Sequence, residues 1–130
     1  LKKTKGLRMI LATDAIFKGG WRPGWIDSSS LCGVIPGTDV QVRLAAAVLD
    51  RPRYISGWNY DRNAPGGAGP KPSRKAVPAG SVYFFSILNG DPNPDSLWLS
   101  PVCDETQDNR DGFGAALWGV WNSDQLSKGE

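Results

Sequence analysis

The stretch "SVYFFSIL", Ser81 to Leu88, limits the fold more than any other part of the chain. Its β-branched and aromatic residues read as a strand, with Val82, Phe84 and Leu88 on one side and Tyr83, Phe85 and Ile87 on the other. A strand apolar on both faces belongs in the interior of a sheet or beneath a partner. Gly80, just before it, is expected to supply a positive φ or a close backbone approach.

Other strands are read around it. "LRMILAT", Leu7 to Thr13, is a short apolar run with a β-branched residue, bounded by Gly6 and Asp14. "DVQVRLAAAV" alternates, placing Val40, Val42, Leu44, Ala46 and Val48 on one apolar face. "RYISGWNY" resumes an extended pattern, as the same strand after a bulge or as its hairpin partner. A closing strand is read in "AALWGVW". Between these, "DAIFKGGWRPGWID" is loop chemistry, followed by a short helix near Asp27 to Leu31 that Asp27 and Ser28 would cap. Residues 61–75 hold three prolines and three glycines, so no regular element is expected there. Periodicity leaves two architectures open, a sheet layered by short helices or an all-β sandwich.

At 130 residues the chain is read as a single domain. It opens with Leu1, and "LKKTKG" is followed by no apolar leader; no run reaches the roughly 18 apolar residues of a membrane span. The expected location is therefore the cytoplasm, away from any membrane. With Cys32 and Cys103 as its only cysteines and no histidine, the chain lacks the usual ligands of structural zinc, and both cysteines are expected as reduced thiols. The net charge of +2 conceals an asymmetry: residues 1–75 carry 13 Lys and Arg against five Asp, and residues 76–130 carry two basic and eight acidic groups. One half is thus suited to a polyanion unless the two halves interleave in the fold.

The segment "WNYDRNAPGGAGPKPSRK" combines what single-stranded RNA requires. Arg62, Lys71, Arg74 and Lys75 supply charge for phosphates. Gly66 and Gly67 let backbone N–H groups approach an anion, and Trp58 and Tyr60 offer rings for stacking. The spacing is not that of a nucleotide-binding P-loop. Asp104, Glu105, Asp108 and Asp111 lack the alternation of a calcium loop, so neither metal nor cofactor is expected. Lys2, Lys3, Lys5 and Arg8 form a basic arm, and Trp21 and Trp25, set among glycines, are candidates to cover an interface.

"ISGWNY", then "PKPSRKAVPAGSVYFF", then "GFGAALWGVW" resemble, in order and spacing, the C-terminal half of the Cmr-type CRISPR-associated RAMP subunit of type III-B effector complexes. The Gly57–Trp58 pair, the block Val77 to Ser81 and the terminal glycine-containing strand carry the resemblance. It implies an α+β, ferredoxin-like β-α-β-β-α-β domain, here the C-terminal part of a two-domain protein. It also implies a non-catalytic subunit that holds the 5′ handle of the guide RNA and docks on the polymerase-like large subunit beside other RAMP subunits, with Tyr83 and Phe85 taken as the partner interface. Two alternatives are a guide-processing endoribonuclease of the same superfamily, for which the absent histidine is a handicap, and a secreted carbohydrate-binding module.

Overall fold

The structure is a computed structural model that describes residues 5–59, 69–91 and 97–122. Seven strands form along the chain: β1 (Lys5–Leu11), β2 (Cys32–Val34), β3 (Gln41–Val48), β4 (Arg53–Asn59), β5 (Gly69–Ala76), β6 (Val82–Asn89) and β7 (Ala116–Asn122). Five make one antiparallel sheet in the order β2-β3-β6-β1-β7, while β4 and β5 pair separately as a two-stranded ribbon.

β6 occupies the centre of the five-stranded sheet, as its two apolar faces require. Tyr83 and Phe85 are fully buried, with Leu7, Met9 and Leu11 of β1, Val42 and Leu44 of β3, and Ala116 and Trp118 of β7 on the same side. Phe85 lies against Trp25 at 5.6 Å and Trp118 at 6.2 Å between ring centroids. Irregular chain closes over this face and contributes Ala15, Ile16, Phe17, Ile26, Ile35, Leu97, Val102 and Cys103 to the core. Tyr83 and Phe85 therefore face the interior of the domain. Their expected place at a partner interface is corrected accordingly.

The ferredoxin-like α+β expectation is overturned. The fold is mostly antiparallel sheet, and the one helix among the described elements, α1 (Thr106–Arg110), is five residues long. The connection after β1 carries Gly19, Gly20, Pro23 and Gly24, and the one before β7 carries Pro101, residues that interrupt helical hydrogen bonding or disfavour its backbone. The short helix expected at Asp27 is a turn instead. The Asp27 carboxylate accepts the N–H groups of Ser29 at 3.0 Å and Ser30 at 2.8 Å, and Leu31 enters the left-handed region with φ 60°. Capping chemistry is present, but the helix is not.

Three other expectations change. β3 keeps Val42 and Leu44 in the core, but a bulge between Leu44 and Ala46 inverts the alternation, so that Ala47 packs on the core and Val48 is 65% exposed. β4 is neither a continuation nor a partner of β3; it pairs with β5, which lies in the segment expected to be loop. Pro70 and Pro72 fit there because each residue of a two-stranded ribbon need hydrogen-bond only one neighbour. Gly80 has φ +90°, as its place before β6 requires. Cys32 and Cys103 are both free thiols, and no described helix is long and apolar enough to cross a membrane.

Candidate nucleic-acid interface

The basic segment divides in the structure. Trp58 is in register with Pro70 and Lys71 with Gly57 along the β4–β5 ribbon. Tyr60, Arg62, Gly66 and Gly67 lie outside the described residues. Arg74 and Lys75 stand at the root of the ribbon, opposite Ile55 and Tyr54.

Adjacent in sequence, these two cations have different surroundings. Arg74 turns to α1 and donates two hydrogen bonds to the Asp108 carboxylate, at 2.6 and 3.0 Å, with Glu105 at 3.9 Å. Asp108 is 2% exposed, and its hydrogen bonds push the Arg74 guanidinium above its ordinary pKa. Arg74 is thus committed to structure. Lys75 is exposed and lines two adjoining depressions. One is shared with Gly20, Trp21, Leu49 and Pro52; the other, of about 300 Å³, with Phe17, Lys18, Arg74 and the carboxylates of Asp104, Glu105 and Asp108.

Those carboxylates show that the basic and acidic halves of the chain interleave here. Asp104 accepts the backbone N–H of Lys18 at 2.6 Å and that of Gly24 at 2.9 and 3.2 Å, tying the loop after β1 to the segment before α1. Asp108 is paired with Arg74, and among the described residues Lys18 and Lys75 line this depression without an ion-pair partner, beside the charged carboxylates of Asp104 and Glu105. Among the described residues, no group of three or more acidic or cysteine side chains is arranged to hold a metal ion.

The two interface tryptophans also separate. Trp25 donates its indole N–H to the Val102 carbonyl at 3.0 Å and packs on Phe85. Trp21 is 47% exposed and walls both the first of the two depressions at Lys75 and a third one lined by Leu31, Leu44, Ala47 and Leu49. Its carbonyl accepts the buried Tyr83 hydroxyl, which fixes the backbone from which the indole projects. An anchored, exposed indole beside a lysine with no ion-pair partner among the described residues can stack on a base while the ammonium meets its phosphate. The glycines and proline around Trp21 were the available sign that it sits on a loop.

The family model described as CRISPR-associated protein (Cas_Cmr3) matches residues 1–121. No curated protein and no solved structure matches the chain.

Proposed function

The chain belongs to the Cas_Cmr3 family of CRISPR-associated proteins, and from that premise we propose that it is a non-catalytic RNA-binding and scaffolding subunit of a type III-B effector complex. In this reading it holds the 5′ handle of the guide RNA and docks on the polymerase-like large subunit. Target recognition then belongs to base pairing by the guide, and the protein contributes backbone and stacking contacts.

The observation that carries the RNA part is the exposed, anchored Trp21 beside Lys75 at the root of a ribbon whose sequence is rich in basic residues. Lys18 lines one of the depressions with Lys75, and Arg53 stands opposite Ala76 at the root of the ribbon, 3.7 Å from Asp14.

Binding of a short handle RNA at several salt concentrations tests this. Changing Arg62, Lys71 and Lys75 to alanine, while keeping Arg74 for the sake of the fold, should weaken binding. It should also lower the slope of log affinity against log salt by about 0.7 for each phosphate that is no longer neutralised. Trp21→Ala should weaken binding by about 1–3 kcal/mol with little change of slope, as removal of a stacking ring does. RNA binding indifferent to all four substitutions would defeat the assignment.

A further inference from the structure

The five-stranded sheet has a second face, opposite the core, and the register fixes its rows. One row runs Val48, Val82, Ile10 and Leu117 across β3, β6, β1 and β7. The next runs Ala46, Phe84, Arg8 and Gly119, and a third Arg43, Ser86, Gly6 and Trp121. The first row is aliphatic throughout. Gly6 is required in the third, because a Cβ there would lie 2.1 Å from the Trp121 ring that covers it.

No carboxylate occurs in these rows, and among the described residues neither arginine has an ion-pair partner. Arg8 lies along β7, where a Cβ at Gly119 would be 3.3 Å from its guanidinium. The surface is thus an aliphatic strip with two exposed cations to one side of it, Arg8 in the adjacent row and Arg43 in the row beyond, neither ion-paired among the described residues.

We propose that this face is a protein-docking surface for an acidic amphipathic segment of another subunit, with aliphatic residues over Val48, Val82, Ile10 and Leu117 and carboxylates over Arg8 and Arg43. The inference rests on membership of a multi-subunit complex and adds to it the surface and the chemistry of the partner. Four strands at about 4.8 Å spacing make the strip about 14 Å long, which about ten helical residues would cover. A second copy of the chain is disfavoured, since face-to-face pairing brings arginines toward arginines. An RNA strand would place polar sugar and phosphate over an aliphatic row that offers it no hydrogen bond.

The test uses Val48→Cys in a Cys32→Ser background, assembled with the other Cmr subunits and guide RNA. Maleimide labelling at position 48 should slow at least tenfold on assembly and stay slow after ribonuclease digestion. The pair Arg43→Glu and Val48→Asp should reduce incorporation at least tenfold while handle RNA binding by the free chain is unchanged. Labelling as fast in the complex as in the free chain would overturn the proposal, as would protection that ribonuclease removes, which would make RNA the occupant. Failure of the wild-type chain to enter the complex at all would overturn the functional reading and this inference together.

Discussion

Arg74 and Asp108 are separated by 34 positions yet form a two-pronged ion pair, of which the carboxylate is buried and the guanidinium is 44% exposed. This imbalance sets the consequence of mutation. Arg74→Ala leaves a buried, unpartnered carboxylate and should cost about 2–4 kcal/mol, whereas Asp108→Asn leaves an arginine that water can reach and should cost less. Urea denaturation of the two single variants and the double variant measures this, and equal costs would show that the pair does not act as described. Burial also pushes the Cys103 thiol above its ordinary 9.0 and the Tyr83 phenol above its ordinary 10.0. Both raised values mean that the folded state holds its protons more tightly than the unfolded chain. Their contribution is therefore complete below about pH 9 and disappears as pH rises further. Thermal melts from pH 7 to 11 should show this alkaline decline, and it should be smaller in Cys103→Ala.

At the scale of single elements, β6 tests the alternation most directly. Phe85→Ala should cost about 3–5 kcal/mol, as truncation of a fully buried aromatic does, and Phe84→Ala, on the half-exposed opposite face, less than half as much. Comparable costs would contradict the assigned faces. The parity of β6 and its central position were legible because successive residues from Val82 onward show the pattern. The end of β3 was not, because Ala45, Ala46 and Ala47 are identical in size and polarity and conceal the bulge among them. Nor was β5 legible: its prolines argue against a strand, and only the two-stranded ribbon makes them tolerable.

Across the whole molecule, helices were expected by analogy and irregular chain took their place. Local glycines and prolines pointed the right way, and the resemblance outweighed them. The candidate site was legible in part. Lys75 stands exposed where a phosphate contact was expected, while Arg74 is taken up by Asp108, a partner that no local pattern could reveal. The order β3-β6-β1-β7 brings another consequence, for synthesis on the ribosome. β1 is made before both of its neighbours, β6 and β7, so it waits while residues 12–81 are translated before the first of them exists. At about 5–20 residues per second that is several seconds for an apolar segment with both edges open. Arg8, within β1, supplies a charge that opposes premature edge-to-edge pairing during that interval.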